Sequence, residues 1–396
     1  MKTLMLLFMA SVMLTGCGGG ARELLFLFSE APDKYFHHRI EASTDPYRIP
    51  KASHQKQLPL TFNHDGWPIS TSSFMQRTGT GGLMVIEDGE IVYEDYFLGT
   101  DKHTRYTSWS VSKSFISALV GIAIEQGYIN SVDDLVSSYV PELLHTAYGD
   151  VTIKNALQMS SGVDFEESNA SLDSDAFLLL LSTLASNDEF IYTLKDKRNA
   201  PGTYNYYASS DTQVLSMVLK RATGLSVAKF METNLWQPMG AESHATWITD
   251  TKGVESAFCC LNATLRDYAK FGMLYLNKGQ WRGYELVPSQ WVEDSVDTSE
   301  PQLVPGDNPN SNDTWGYGYQ WWIPDSRPDY MAIGIFNQFI YVHPGKNIVI
   351  VKFGANPEYT FNDLEEEHRD FFRKVASHIE KQQPPPSWFS WFRRFF

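Results

Sequence analysis

Cysteine is scarce in this sequence: it occurs three times in 396 residues, at positions 17, 259 and 260. A small secreted domain stabilised by several disulfides would carry more of it, so a disulfide framework is excluded. Adjacent cysteines can pair only in a small, strained ring. We therefore expect Cys259 and Cys260 to be small buried residues, with a redox role as the alternative.

Basic charge is also in short supply. The chain has 32 Lys and Arg residues against 47 Asp and Glu residues, a formal net charge of -15. An acidic surface of this kind argues against nucleic acid as a partner. The sequence also lacks a Gly-x-Ser-x-Gly elbow, a His-Glu-x-x-His pair, a cluster of His and Cys, and a Gly-rich phosphate loop. We therefore expect no metal and no cofactor.

A long hydrophobic run is missing as well. The apolar stretch 4–14 follows one lysine and is too short to span a bilayer, as in a secretory signal peptide. Leu14-Thr15-Gly16-Cys17 resembles the bacterial lipobox, which implies that residues 1–16 are cleaved and Cys17 is lipidated. No aspartate follows Cys17, which in such lipoproteins implies the outer membrane, facing the periplasm. The alternative is an uncleaved signal with an incidental cysteine.

The C-terminal segment 383–396 differs from the rest of the chain. Pro384-Pro385-Pro386 is a stiff spacer. It precedes a group of aromatic and basic residues: Trp388, Phe389, Trp391, Phe392, Arg393, Arg394, Phe395 and Phe396. Aromatic side chains with arginines suit a membrane interface, which would be a second contact with the membrane besides Cys17. The alternative is a tail that folds back over the domain.

We divide the remaining chain into a tether with an N-terminal covering segment, 17–64, and one domain, 65–382. "GGLMVIEDGEIVYEDYFLG" and "QFIYVHPGKNIVIVKFG" each read as two strands around a turn. An amphipathic helix is predicted at about 363–382, and most of the sequence between the hairpins is helical. These patterns predict an α+β fold in which one antiparallel sheet is built from both chain ends, with helices packed on it and an inserted helical subdomain.

A Ser-x-x-Lys pattern occurs three times, so the pattern alone predicts nothing. Ser53–Lys56 lies in an irregular segment, and Ser226–Lys229 reads as a helix N-cap with a solvated lysine. Ser110–Lys113 follows a strand pair and opens the most apolar predicted helix. Free backbone N–H groups at a helix start can hold a developing oxyanion, and a spacing of three places Lys113 on the face of Ser110. The alternative is a capping serine with a lysine that reaches solvent.

A second polar element, "APGTYNYYASSDTQVLSMVLKRATG", displays Tyr207-Ala208-Ser209 just before a helix. A tyrosine near a lysine ammonium ionises more easily and can carry a proton. Tyr-x-Ser recurs at Tyr106–Ser108, and the related Tyr-x-Asn occurs at Tyr275–Asn277 inside a periodic helix. The position before a helix, in a polar loop, is what favours Tyr207 as a catalytic group.

Five segments in order resemble the β-lactamase-related, penicillin-recognising serine hydrolases, in particular their class C-like and 6-aminohexanoate-dimer hydrolase-like branch. The segments are "SWSVSKSFISALVGIAIEQGYI", "VTIKNALQMSSGVDFEE", "PGTYNYYASSDTQVLSMVLKRATGLSV", "CCLNATLRDYAKFGMLYLNKGQWRG" and "WGYGYQWW" with "AIGIFNQFIYVHPGKNIVIV". The resemblance covers roughly residues 65–380. It implies a β-lactamase-like fold.

The resemblance also implies roles for individual residues. Ser110 would be the acylated nucleophile, Lys113 its proton partner and Tyr207 the general base or shuttle. The backbone N–H groups of Ser110 and Gln338 would form the oxyanion hole. Residues at the substrate would include Trp109, Ser209 and Asn337.

The chain departs from the family at one strand. Lys-Thr-Gly or His-x-Gly is usual there, whereas this chain has Ile335-Phe336-Asn337. A cation at this place often binds a substrate carboxylate, so its loss lowers the expectation of β-lactamase or DD-peptidase activity. We expect a serine esterase or amidase acting on a small molecule. The alternatives are a weak β-lactamase or DD-peptidase, and a non-catalytic binding lipoprotein on a degenerate hydrolase fold.

Overall fold

The computed structural model describes residues 35–168, 171–356 and 364–382. The expected signal peptide, the lipidation site Cys17 and the aromatic tail after residue 383 lie outside the described residues. Among the residues that are described, no helix is long and apolar enough to cross a membrane.

The chain alternates between sheet and helix. The strands are β1 (His37–Ile40), β2 (Thr61–His64), β3 (Trp67–Ser70), β4 (Thr80–Glu87), β5 (Glu90–Tyr96), β6 (Arg105–Thr107), β7 (Ala245–Ile248), β8 (Leu261–Thr264), β9 (Gln280–Trp281), β10 (Tyr284–Glu285), β11 (Gly316–Tyr317), β12 (Trp322–Ile323), β13 (Tyr330–Gly334), β14 (Gln338–His343) and β15 (Ile348–Gly354). The α-helices are α1 (Thr71–Arg77), α2 (Val111–Glu125), α3 (Val136–Tyr139), α4 (Ile153–Leu157), α5 (Asp175–Ser182), α6 (Asn187–Ile191), α7 (Ser209–Thr223), α8 (Val227–Met231), α9 (Leu265–Leu276), α10 (Ser289–Asp294) and α11 (Glu365–Glu380).

The main sheet has seven antiparallel strands in the order β11-β12-β13-β14-β15-β4-β5. It joins strands from both ends of the domain, as the two hairpin patterns predicted. Asp88 and Gly89 have φ angles of 51° and 81°, the left-handed backbone that a tight two-residue hairpin turn requires. The predicted α+β architecture is therefore confirmed.

A second sheet, in the order β1-β7-β8-β6, was not predicted from the sequence. Its strands have three or four residues each and come from three separate parts of the chain. Short strands carry too little periodicity to be distinguished from loops. This sheet matters for the site because β6 leads directly into the segment that ends at Ser110.

Helix α2 runs through the centre of the molecule, and all of its residues from Val111 to Ala123 are buried. The ring of Phe115 stacks on Phe271 of α9 at a centroid distance of 3.8 Å. Helix α9 in turn packs closely on the sheet, because a Cβ at Gly272 would lie 2.7 Å from Val349 and 2.8 Å from Ile340. The other face of the sheet is covered by α1 and α11, whose aromatic residues form a second core cluster. Helix α2 is thus held in place by packing against other elements of the core.

The pair Cys259 and Cys260 differs from expectation. The two cysteines are joined by a disulfide, whereas we expected small buried residues that are not bonded to each other. Both are buried, at 3% and 1% exposure. Cys260 has a φ of 73°, so the backbone turns sharply between Phe258 and β8. The expected burial is thus confirmed, whereas the expectation that the two cysteines are not paired was wrong.

Candidate active site

Ser110 stands where the second sheet meets α2. β6 ends at Thr107, and the chain reaches Ser110 through Trp109, whose φ of 45° is unusual for a tryptophan. The end of β13 lies against this turn, since a Cβ at Gly334 would be only 3.1 Å from the Ser110 backbone nitrogen and 2.5 Å from the Ser108 oxygen. The Ser110 side chain makes no helix-capping hydrogen bond and is partly exposed. Its hydroxyl is therefore available to a substrate.

Lys113 is buried to 1% exposure directly beneath Ser110. Its Nζ donates to Ser110 Oγ at 2.8 Å and to the Phe258 carbonyl oxygen at 2.8 Å. Burial disfavours the ammonium form and lowers the pKa of Lys113 to about 8, although the negative charge of Glu167 opposes this effect. The amine is thus about half neutral near pH 8, and in that form it is able to accept a proton.

Tyr207 comes to the same serine from the loop before α7. Lys113 Nζ lies 5.0 Å from the centroid of the Tyr207 ring. Burial and the charge of Glu167 raise the pKa of Tyr207 well above its usual value, while a hydrogen bond with Ser110 acts in the opposite direction. The phenol is therefore neutral at rest, in contact with Ser110, and suited to passing on a proton.

An aromatic wall continues from Tyr207. Its ring stacks on Trp322 at 5.3 Å and meets Tyr317 edge to face at 6.0 Å. Trp109, the residue before Ser110, packs edge to face against Phe336 at 4.9 Å. Aromatic surfaces of this kind suit a substrate with apolar or aromatic parts.

Glu167 is a member of the site that the sequence did not single out. Its carboxylate oxygens accept from the backbone N–H and the hydroxyl of Ser209, each at 2.7 Å. This fixes the first residue of α7, two positions after Tyr207. Its charge also acts on Lys113 and Tyr207, and burial raises its own pKa. The only sequence signal was its place in "SSGVDFEE", the end of one of the segments that resemble the family.

The side chains of Ser209, Asn337 and Gln338, three residues predicted to lie at the site, form hydrogen bonds within the protein. Ser209 is held by Glu167, and the Asn337 amide donates to the Thr78 carbonyl at 3.0 Å. The Gln338 side chain donates to the Gly354 carbonyl at 2.6 Å and accepts from the Gly354 N–H at 3.2 Å. The turn between β13 and β14 is tight, because Phe336 and Asn337 have φ angles of 64° and 72°. Ile335, partly exposed, directly follows Gly334 at the edge that faces Ser110.

The two other Ser-x-x-Lys copies serve the fold. The Ser226 hydroxyl caps α8 by accepting from the Lys229 N–H at 3.1 Å, as predicted, and Lys229 pairs with Glu232. Lys56 pairs with Glu87 and donates to the Ile379 carbonyl at 2.9 Å. Only at Ser110, among these three places, does the lysine donate to the serine hydroxyl.

The described residues contain no group of three or more His, Cys, Asp or Glu side chains that could hold a metal ion. A hydroxyl in contact with a buried amine and a neutral phenol, at the start of a helix, is an arrangement suited to nucleophilic attack on a carbonyl carbon.

Comparisons with known proteins agree with this arrangement. The Beta-lactamase family model matches residues 69–370. A 6-aminohexanoate-dimer hydrolase of Paenarthrobacter ureafaciens is 29% identical over 296 residues, which are 72% of this chain and 74% of that protein. A putative 6-aminohexanoate-dimer hydrolase from Bacillus anthracis has a similar structure, with a TM-score of 0.80, 24% identity, and coverage of 91% of this chain and 95% of that one.

A class C beta-lactamase from Rhodobacter sphaeroides shares the fold at a TM-score of 0.59 and 16% identity, over 78% of this chain and 97% of that one. The match of the family model spans well over half of the chain and includes Ser110, Lys113, Tyr207 and Glu167. The chain belongs to the Beta-lactamase family.

Proposed function

We propose that this protein is a serine hydrolase that cleaves an ester or a linear amide through an acyl-enzyme on Ser110. The observation that carries the proposal is the contact of 2.8 Å between Lys113 Nζ and Ser110 Oγ. The buried amine has a lowered pKa and touches a hydroxyl that is partly open to solvent. A lysine that only capped or solvated the helix would have no reason to be buried against this hydroxyl.

In the first step Ser110 Oγ forms a bond to the substrate carbonyl carbon, and the hydroxyl proton passes to the neutral amine of Lys113. When the bond to the leaving group breaks, the alkoxide or amine takes a proton from the Tyr207 hydroxyl, and Lys113 returns a proton to Tyr207. The raised pKa of Tyr207 supports this role, because the group remains protonated until the leaving group needs the proton. Water then attacks the acyl-enzyme by the reverse sequence of proton transfers and releases the acid.

The negative charge on the carbonyl oxygen needs two N–H donors. The Ser110 N–H at the start of α2 is the first. For the second, the family pattern indicates the Gln338 N–H, whereas the close approach of Gly334 to Ser110 favours the N–H of Ile335. A crystal structure of a phosphonate adduct on Ser110 would decide, since the donor lies within about 3 Å of the phosphonyl oxygen.

For the substrate we propose a small ester or linear amide with an apolar or aromatic part. The aromatic wall of Tyr207, Tyr317 and Trp322 supports this, as does the similarity to a protein named 6-aminohexanoate-dimer hydrolase. The absence of a cation in Ile335-Phe336-Asn337 disfavours substrates whose carboxylate must be bound at this strand. A weak β-lactamase or DD-peptidase remains the alternative activity.

A fluorophosphonate probe tests the enzyme proposal directly. The folded wild type should be labelled, and labelling should vanish in Ser110→Ala but persist in Ser226→Ala, whose serine also belongs to a Ser-x-x-Lys. Absence of labelling in the folded wild type would instead favour a binding lipoprotein on the same fold. Aryl esters, an aminohexanoate-type linear amide, a chromogenic cephalosporin and a D-Ala-D-Ala peptide would then rank the substrate classes.

We also propose that the protein is a bacterial envelope lipoprotein anchored through Cys17, with the segment 388–396 as a second membrane contact. The lipobox-like sequence and the aromatic and basic tail support this. Mass spectrometry of the mature N-terminus tests it: a diacylglyceryl group on Cys17 is expected, and an unmodified or uncleaved N-terminus would contradict it.

A further inference from the structure

A cavity of about 350 Å³ lies beside the second sheet, and none of its lining residues belongs to the candidate active site. The lining residues are Pro46, Arg48, Lys102, His103, Glu242, Ser243, Thr264 and Arg266. We propose that this cavity binds a phosphate-type oxyanion.

The charge of the lining is opposite to that of the protein. Arg48, Lys102 and Arg266 stand against the single carboxylate of Glu242, on a chain whose net charge is -15. Arg266 is compensated, because it donates to both oxygens of Glu94 at 2.7 and 2.9 Å. Within the described ranges, Arg48 and Lys102 have no ion-pair partner. Two cations without an ion-pair partner repel each other at one cavity, whereas both would be attracted to an anion bound between them.

Arg105 adds a further positive charge near this cavity. It is not a lining residue, but it lies opposite the lining residue Thr264 in the β6–β8 register, and it too has no carboxylate partner among the described residues. Its Nη1 donates to His244 Nε2 at 3.0 Å, so that ring nitrogen is an acceptor and the imidazole is neutral. Burial and the charges of Arg105 and Arg39 lower the pKa of His244 accordingly.

The Nε of Arg105 is buried and has no hydrogen-bond partner in the described part of the chain. A buried donor without a partner is costly, and most such donors in proteins are satisfied. This atom does not face the cavity, so Arg105 contributes its charge to the region and no direct contact with a ligand. The cavity offers a ligand the excess positive charge of its lining.

A phosphate group fits these features better than a carboxylate. Its four oxygens point in different directions, and three lining cations, Arg48, Lys102 and Arg266, approach from three separate segments of the chain. The cavity is larger than a bare phosphate ion, which leaves room for an organic phosphate. The source is either a soluble phosphate or a lipid headgroup, since β1 in the same sheet directly follows the proposed membrane tether.

Isothermal titration of the full chain with inorganic phosphate at low ionic strength tests the proposal, because salt screens such contacts. We expect saturable binding by the wild type and a loss of about tenfold or more in affinity in the double variant Arg48→Glu/Lys102→Glu. The matched control is Lys374→Glu, an exposed lysine on α11 away from the cavity, and its affinity should equal that of the wild type. Absence of saturable binding by the wild type, or equal loss in the control, would overturn the proposal.

A second experiment identifies the source of the phosphate. The full chain carrying Cys17→Ser, which has no acyl anchor, is mixed with phosphatidylglycerol or phosphatidylcholine vesicles. Binding to the former that the double variant loses indicates a lipid headgroup, whereas phosphate binding without vesicle binding indicates a soluble phosphate. Hydrolytic activity is unchanged in the double variant in either case, so this test is independent of the proposed catalytic function.

Discussion

Lys113 Nζ lies 2.8 Å from Ser110 Oγ and, on its other side, 2.8 Å from the Phe258 carbonyl oxygen. The amine is therefore held between Ser110 and the segment that carries the two paired cysteines. Because burial lowers the pKa of Lys113 to about 8, its protonation state changes within the range in which enzymes are assayed.

The first prediction concerns the pH dependence of hydrolysis. Only the neutral amine can accept the Ser110 proton, so kcat/KM should rise with pH and level off above about 8. The charge of Glu167 raises the pKa of Lys113, so Glu167→Gln should shift the rise in kcat/KM to lower pH. A pH-rate profile of both proteins with an aryl ester measures the shift. If kcat/KM of Glu167→Gln rises at the same pH as that of the wild type, or at a higher pH, the role assigned to Glu167 is contradicted.

The second prediction concerns Tyr207. Tyr207→Phe removes the hydroxyl that returns the proton to the leaving group, and turnover should fall by about 10²- to 10⁴-fold. The aromatic contacts with Trp322 and Tyr317 should persist, so the thermal midpoint should change little. Tyr106→Phe is not a suitable control because its hydroxyl donates to Thr100 in the core. Tyr284→Phe, an exposed tyrosine, should leave turnover unchanged.

The third prediction concerns the cysteine pair. Thiol labelling of the unfolded, unreduced protein should find no free thiol at Cys259 or Cys260. Replacing both by Ala should lower kcat more than it raises KM, because the neighbouring Phe258 carbonyl positions Lys113 and not the substrate. Two labelled thiols at these positions would refute the pairing, and an unchanged kcat would refute the positioning role.

The fourth prediction concerns a buried lysine on the opposite face of the sheet. Lys352 is fully buried, and its Nζ has no hydrogen-bond partner in the described ranges. Burial, with a smaller contribution from the charge of Arg77, lowers its pKa to about 7. The unfolded chain thus binds more protons than the folded protein between pH 7 and 10.5, so this group makes stability rise with pH in that window.

Lys352→Met should therefore stabilise the protein at pH 6, where the wild type buries a charged amine, by up to about 5 kcal/mol. The gain should shrink as the pH approaches 10. Urea unfolding of the wild type, Lys352→Met and the exposed control Lys374→Met at pH 6, 8 and 10 measures it. A Lys352→Met protein less stable than the wild type at pH 6 would show that an unseen partner compensates the amine.

The local pattern of the sequence determined much of this protein. Asp88-Gly89 specifies a hairpin because those residue types tolerate positive φ, and the apolar period after Ser110 specifies a helix that has to be buried. The order of the motifs identified the family. It also distinguished Ser110, Lys113 and Tyr207 from other occurrences of the same short patterns in the chain. The geometry that brings those three side chains together was thus anticipated from position along the chain.

Tertiary structure decided the features that depend on contacts distant in sequence. The strands of the second sheet are too short to be recognised without their partners, and Glu167 acquires its place only when its loop folds over Ser209. The pairing of Cys259 with Cys260 and the burial of Lys352 likewise depend on how the fold closes around them. A sequence pattern reports which side chains are neighbours on one element, whereas pKa values and cavities arise from the groups that other elements bring to the same place.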